Sequence, residues 1–220
     1  MRFFLLYLFG VFLTGGLPNL LSVNQRGNAR RASCQSNMKQ LGLALAMYSQ
    51  DYGSLPSAAT ASGKSGWREA VYPYIKSSGV YHCPDDSRSY DYKPPVNLPE
   101  SYAANALCFG SHLKPAALTK LSPTAILAAD VRGYGGEDWD ISSPAFLPSS
   151  GRELYTHKLR HLFYVRTSGR LNCLLADGHV KAMPPMATLT PINLWTPDDA
   201  PFVGADLANA QAILKNAETK

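Results

Sequence analysis

The side chains of this 220-residue chain that are best able to do chemistry are four cysteines, five histidines and a few aspartates. Their spacing matches no catalytic motif. The sequence has no Gly-x-Ser-x-Gly elbow for a nucleophilic serine and no His-Glu-x-x-His zinc motif. Glycines 133, 135 and 136 follow a strand-like run, but an acidic segment comes next, where a nucleotide site needs a helix. We therefore predict no catalytic residue, no cofactor-binding residue and a protein that is not an enzyme.

Asp177 and Gly178 stand between two apolar runs in the segment LLADGHVKAM. This pattern is typical of a hairpin turn, and a type I′ turn needs positive φ at both positions. The alternative is a cation site for calcium, formed by Asp177 with Asp130 or with a neighbour such as His161 or His179. Because no EF-hand spacing accompanies these residues, we favour the turn and predict no metal site.

The cysteines, at positions 34, 83, 108 and 173, form no Cys-x-x-Cys pair and no zinc cluster with histidine. Two disulfides are compatible with an exported protein, and four buried thiols are the alternative. A Cys34–Cys83 bridge would link a helix to the body and close a loop of about 50 residues, and Cys108–Cys173 would then be the second pair. Four cysteines allow three pairings, so the sequence leaves the connectivity open.

An uncharged apolar run, residues 3–23, is the strongest topological signal. About twenty helical residues span roughly 30 Å, the thickness of a bilayer core, so we predict a membrane or assembly helix. A cleaved signal peptide with small residues Thr14, Gly15 and Gly16 at the cut is the alternative. Arg2 precedes the run, whereas arginines 26, 30 and 31 follow it. This charge distribution is opposite to the positive-inside preference.

A second helical pattern follows the apolar run, and it has no proline between residues 22 and 52. Apolar residues recur in it at helical spacing, namely Cys34, Met38, Leu41, Leu45, Tyr48 and Tyr52. Residues 3–51 are therefore expected to form one rod of about 70 Å, kinked near Pro18. Its first half would face lipid or neighbouring subunits, and its second half would pack on a globular head.

The rest of the chain has the pattern of a small β-rich body. The whole chain has a net charge of +5, which is too small and too widely spread for a nucleic-acid surface. The predicted strands are Ser101–Ala104, Ala125–Ala129, Leu162–Val165, Leu171–Ala176 and His179–Met183, with the last three in an antiparallel meander. The fold class is thus α+β, with one long N-terminal helix on a small antiparallel sheet. The predicted segments are 1–24 for membrane or assembly, 25–185 for the head and 186–220 for a peripheral C-terminal extension with a loosely docked helix.

Several of these segments resemble bacterial type IV pilin-like and pseudopilin proteins. The resemblance begins with ARRASCQSNMKQLGLALAMYSQDYGSLP (29–56) and continues with WREAVYPYIK (67–76), YHCPDD (81–86) and LLADGHVKAM (174–183). More narrowly, they resemble prepilin-type proteins with a His-x9-Asp-Gly processing-associated domain, whose motif would here be His161, Asp177 and Gly178. Fifteen residues separate His161 from Asp177 instead of nine. The family's basic leader and Gly-Phe-Thr-Leu-Ile-Glu cleavage motif are also missing, and aligning Pro18 with the family's proline places the cleavage point before Met1.

This resemblance implies a pilin-like or pseudopilin-like structural subunit of a surface filament or a type II secretion-like system. Its partners would be other pilin-like subunits, contacted through the N-terminal helix, and the inner membrane. The protein would be membrane-anchored and face the periplasm or the cell exterior, with an extracellular filament as a further location. The alternative is a secreted or membrane-tethered binding protein or hydrolase with a cleaved signal peptide, and the upstream DNA would distinguish the two.

Overall fold

The computed structural model describes residues 17–57, 66–86, 98–99, 101–110, 115–130 and 170–218. They form an α+β fold in which a long N-terminal helix packs on a small antiparallel sheet, the pilin-like arrangement expected from the sequence. The helices are α1 (Leu17–Tyr52), α2 (Gly66–Ile75), α3 (Ala106–Phe109) and α4 (Gly204–Glu218). The strands are β1 (Tyr102–Ala104), β2 (Ile126–Asp130), β3 (Leu171–Leu175) and β4 (Val180–Met183).

Helix α1 has 36 described residues, which at about 1.5 Å per residue makes it about 54 Å long. It ends at Tyr52, and the next residue, Gly53, has a φ of 72°, a left-handed conformation that favours glycine. Residues 1–16 lie outside the described residues. These residues include most of the predicted apolar helix and the segment that would define a kink at Pro18. Within the part of the chain that the structure describes, no helix is both long enough and apolar enough to cross a bilayer.

The apolar stripe of α1 is buried at Cys34, Met38, Leu41 and Leu45. The prediction is wrong at its last position, because the side chain of Tyr52 is 66% exposed. Tyr52 lies in the last turn of the helix and stacks on Tyr48 with ring centroids 4.4 Å apart. The core contacts therefore end one turn before the helix does.

The four strands follow one another in the order β1-β2-β3-β4, and each neighbouring pair is antiparallel. A register irregularity interrupts β2 between Ile126 and Ala128. The predicted strands at 101–104, 125–129, 171–176 and 179–183 correspond to β1–β4, whereas the predicted strand Leu162–Val165 lies outside the described residues.

Both faces of the sheet are covered. Leu127 and Leu174 belong to the apolar cluster on the α1 side, together with Trp67 of α2. The alternate residues of β3, Leu171, Cys173 and Leu175, belong to a second cluster formed with residues of the C-terminal segment. The C-terminal contributors are Leu189, Trp195, Phe202, Ala210 and Leu214. Segment 186–220 was predicted to be a loosely docked extension, and this was wrong because its apolar side chains cover the second face of the sheet.

Cys34 and Cys83 form a disulfide with their Cα atoms 4.9 Å apart. The bond links the first buried residue of the α1 stripe to the loop after α2, as considered from the sequence. Helix α1 also contacts this loop through the side chain of Asn37, which donates a hydrogen bond to the carbonyl of His82 over 2.8 Å. The long helix is thus fixed to the head at the point where its buried face begins.

The second predicted disulfide is wrong, because Cys108 and Cys173 are free, buried thiols. Cys108 belongs to the cluster on the α1 side of the sheet, and Cys173 belongs to the cluster on the opposite face. The sheet therefore separates the two sulfur atoms. Burial raises the pKa of Cys108 to about 12, and burial together with the charge of Asp130 raises the pKa of Cys173.

These assignments predict the thiol chemistry and the stability of the protein. Peptide mapping without reduction should find Cys34 linked to Cys83, and Cys108 and Cys173 should be alkylated quickly only after denaturation, because a buried thiol with a raised pKa reacts slowly. The Cys34→Ala/Cys83→Ala variant should lose about 4 kcal/mol of unfolding free energy, since the bond closes a loop with a sequence separation of 49 residues.

The matched control is Cys108→Ala, which opens no loop and should cost about 1 kcal/mol for the lost packing of one sulfur atom. Equal losses in the two variants, measured by chemical denaturation, would contradict the role assigned to the disulfide.

Candidate interaction surfaces on the long helix

The predicted Asp-Gly turn joins β3 to β4, but its geometry differs from the expected type I′ turn. The amide of Gly178 donates to the carbonyl of Leu175 over 2.9 Å, and the amide of Leu175 donates to the carbonyl of His179 over 2.8 Å. Only Gly178, with φ of 83°, has a left-handed conformation, whereas Asp177 does not. The connection is therefore a three-residue loop of residues 176–178 that ends in a left-handed glycine.

The carboxylate of Asp177 stabilises this loop. Its Oδ1 accepts a hydrogen bond from the amide of His179 over 2.9 Å, and its Oδ2 lies 3.0 Å from Nδ1 of the same histidine. Such a contact from an aspartate to the backbone two residues later is a common way to stabilise a turn. The side chain of His179 is exposed, so this pair lies at the surface.

The candidate cation site of Asp177 with Asp130 is not assembled. Asp130 lies at the far end of β2, beside Asn172, while Asp177 follows the opposite end of β3. The strand from Asn172 to Leu175 alone covers about 10 Å, and Asp177 lies beyond its end. The third candidate, His161, lies outside the described residues. Among the residues that are described, no group of three or more His, Cys, Asp or Glu side chains converges to hold a metal ion.

Asp130 instead belongs to a buried polar chain between sheet and helix. Its Oδ2 accepts hydrogen bonds from the backbone amide and the side-chain amide of Asn172, over 3.1 and 2.7 Å. The side-chain carbonyl of Asn172 in turn accepts a hydrogen bond from Gln35 of α1 over 3.0 Å. The carboxylate therefore has a structural role in positioning the helix on the sheet.

The turn geometry predicts that Gly178 contributes more to folding than the charge of Asp177. Gly178→Val should cost on the order of 1–2 kcal/mol or more, because a left-handed conformation is strained for a β-branched residue. Asp177→Asn should be mild, since asparagine keeps the oxygen that accepts from His179. Thermal melting with calcium and with chelator would measure both effects.

The control for this comparison is Gly79→Ala, because Gly79 has no left-handed φ and an added Cβ would lie 3.8 Å from the nearest atom, Oγ of Ser77. If Asp177→Asn were the most damaging variant and chelator removed its defect, Asp177 would be a cation ligand.

The outer side of α1 carries exposed apolar side chains, with Leu43 63% and Met47 49% exposed. Beside Leu43 an open groove of about 300 Å³ runs between the helix and the β3–β4 turn. Its lining is largely apolar, with charged groups at Lys39 and Asp177; the other lining residues include Gly42, Ala46, Leu118, Leu127 and Leu175. Gly42 has little space around it, since an added Cβ would lie 2.8 Å from Cδ1 of Leu174.

A second feature, the aromatic end of α1, consists of the exposed Asp51 and Tyr52 together with the half-buried Tyr48 and, from α2, Tyr74. The rings of Tyr48 and Tyr52 stack, and Tyr74 meets Tyr48 edge-on with a centroid distance of 6.3 Å. The hydroxyl of Tyr74 donates to Oδ2 of Asp51 over 2.6 Å. The segment YSQDY shows the aromatic pair at the spacing of one helical turn, but sequence analysis assigned both rings to the buried stripe.

The hydrogen bond to Asp51 raises the pKa of Tyr74 to about 12, with smaller contributions from desolvation and the charge of Asp51. A raised pKa means that the folded state favours the protonated phenol. The stabilisation from this contact is therefore complete below the unfolded value of about 10 and is lost as the pH rises from there to about 12.

Asp51→Asn should consequently lower the pKa of Tyr74 toward its ordinary value. The measurement is a pH titration of ¹³Cζ-tyrosine signals by NMR, with the Tyr74 signal assigned by Tyr74→Phe. Asp198→Asn, in the C-terminal segment, is the control and should leave the titration unchanged. An unchanged pKa in Asp51→Asn would show that another group holds the phenol in its protonated form.

A third feature, the basic part of α1, contains Arg26, Arg30 and Arg31. None of residues 25–33 is buried, and burial begins at Cys34. Arg30 lies 3.6 Å from Asp85 of the head, and Arg31 donates to Asn28 one turn earlier in the helix. This part of the helix therefore projects beyond the packed core, with its positive charges accessible.

Comparison with protein families finds a match over part of the chain. Residues 24–124 match a protein family described as "Protein of unknown function (DUF1559)". The matched segment begins within α1 at Asn24, contains both cysteines of the disulfide, and ends at Thr124, shortly before β2. No curated protein and no solved structure matches the chain.

Proposed function

We propose that this protein is a pilin-like or pseudopilin-like structural subunit that assembles with other subunits through the N-terminal part of its long helix. In this function the apolar run 3–23 holds the protein in the inner membrane or in the core of a filament. The head then faces the periplasm or the cell exterior. The chemistry of the protein is contact between subunits, and no residue is assigned to catalysis.

The observation that carries the proposal is the division of α1 into two parts. From Cys34 to Leu45 the helix has a buried stripe against the head, whereas none of residues 25–33 is buried. An exposed helix in water gains little from its own hydrogen bonds, because isolated helices are marginally stable. A helix that extends beyond its domain is therefore best explained by a partner that covers it.

The attachment of α1 to the head supports the same function. A covalent bond at Cys34 and hydrogen bonds from Gln35 and Asn37 join the helix to two separate parts of the head, namely the loop after α2 and strand β3. These contacts lie within the first turn of the packed part. A force on the projecting part would reach the head through this turn.

Site-specific photo-crosslinking of the full chain in membranes tests this function. A photoreactive residue at Ala29, exposed on the projecting part of α1, should give dimers and higher ladders of this chain. The same residue at Gln211, exposed on α4, is the matched control and should give far fewer crosslinks if contact runs through α1.

N-terminal sequencing of the mature protein completes the test. A mature chain that begins near residue 17, stays in the soluble pool and forms no crosslink from position 29 would contradict the assembly function. It would instead favour the secreted binding protein or hydrolase with a cleaved signal peptide.

A further inference from the structure

We propose that neighbouring copies of this protein contact each other head to tail, with the basic part of α1 in one copy docked on the aromatic end of α1 in the next. This inference rests on the proposed assembly function and names the two surfaces that meet. The basic part is the group Arg26, Arg30 and Arg31. The aromatic end is the group Tyr48, Asp51, Tyr52 and Tyr74.

The aromatic end has the chemistry of a site for an organic cation. Ring faces attract cations through their quadrupole, and a carboxylate beside the rings adds a charge-assisted hydrogen bond to the same cation. Tyr52 is largely exposed, and Tyr48 supports it from behind by stacking. Asp51 is held at the same place by the hydrogen bond from Tyr74. The site is thus ordered before any partner binds.

The basic part supplies a matching cation from the same sequence. A guanidinium stacks on aromatic rings and donates paired hydrogen bonds to a carboxylate, so arginine fits this site better than lysine does. Arg26 and Arg30 lie four residues apart and therefore share one side of the helix. Arg30 lies 3.6 Å from Asp85 of its own head, but its side chain is still 51% exposed and therefore accessible to a partner.

The positions of the two groups determine the kind of assembly. Both lie at the ends of the packed part of α1, one before its first buried residue and the other at its last turn. Arg30 and Asp51 are 21 residues apart in the sequence, which is about 32 Å along the helix. A contact between different patches on identical chains is heterologous, and it builds an open filament unless the rotation between copies closes a ring. With the helices parallel, each copy would be displaced from the last by about that length.

A charge exchange between two variants of the full chain tests this contact. Variant one carries Asp51→Lys, and variant two carries Arg26→Glu together with Arg31→Glu, which leaves the Arg30–Asp85 pair intact. Each variant alone brings like charges together and should associate roughly tenfold or more weakly than the natural chain.

An equal mixture of the two variants restores opposite charges at every contact. The unchanged arginines of variant one meet the unchanged Asp51 of variant two, and the introduced glutamates of variant two meet the introduced lysine of variant one. Association should therefore return in the mixture only.

The measurement is sedimentation velocity of the detergent-solubilised chain at low and high salt. Salt should weaken both the natural assembly and the mixed assembly, because the contact is between exposed charges. Lys215→Glu is the control, since it changes an exposed charge on α4 outside both groups and should leave association unchanged. Circular dichroism melting of each variant shows whether it is folded.

The outcomes separate this inference from the assembly function. Recovery in the mixture supports the head-to-tail contact. If both variants associate as tightly as the natural chain, or if the mixture does not recover, the contact is wrong while assembly through α1 still holds. If Asp51→Lys weakened association but the arginine changes did not, the head-to-tail contact would be overturned. The aromatic end would then bind a different cationic partner. A natural chain that is monomeric under every condition contradicts both proposals.

Discussion

The structure depends on covering both faces of its central strands. Every residue of β2 and β3 is buried, and alternate side chains of β3 enter two different apolar clusters. A sheet with apolar side chains on both faces is stable in water only between two layers. Helix α1 and α2 form one layer, and the C-terminal segment from Leu189 to Leu214 forms the other. The C-terminal segment is therefore part of the fold that positions α1.

Buried amides fix how the two layers meet the sheet. Asn105 donates hydrogen bonds to the carbonyls of Ile126 and Trp195, over 2.8 and 2.7 Å, and so joins β2 to the C-terminal layer. Asn172 bonds Asp130 within the sheet and Gln35 on α1, which joins β3 to the helical layer. A buried amide that loses its partners costs about 1–3 kcal/mol. These two residues therefore favour one arrangement of the layers over others that would bury as much apolar surface.

Local periodicity was enough to predict α1, because its stripe repeats every three or four residues from Cys34 to Leu45. It also placed Cys34 on the buried side and hence within reach of Cys83. The second disulfide failed for a nonlocal reason, since the register of β2 and β3 decides which face holds Cys173. The C-terminal layer was underestimated because Leu189, Trp195 and Phe202 occur in turns and irregular chain, where burial leaves no periodic pattern. The aromatic end was missed because periodicity does not show where a helix extends beyond the body that buries it.

The place of the disulfide along α1 suits a helix with two tasks. Noncovalent contacts between a helix and a head separate most easily one turn at a time, starting from the end where a force acts. In this protein an assembly contact would act on residues 25–33, and the first packed turn after them contains Cys34, Gln35 and Asn37. A covalent bond in that turn prevents separation from starting there. The same bond placed near Leu45 would leave three turns of the packed stripe free to separate from the head. The position of the Cys34–Cys83 bond, at the border between the projecting and the packed parts of α1, therefore gives this bond the greatest effect on keeping the head attached.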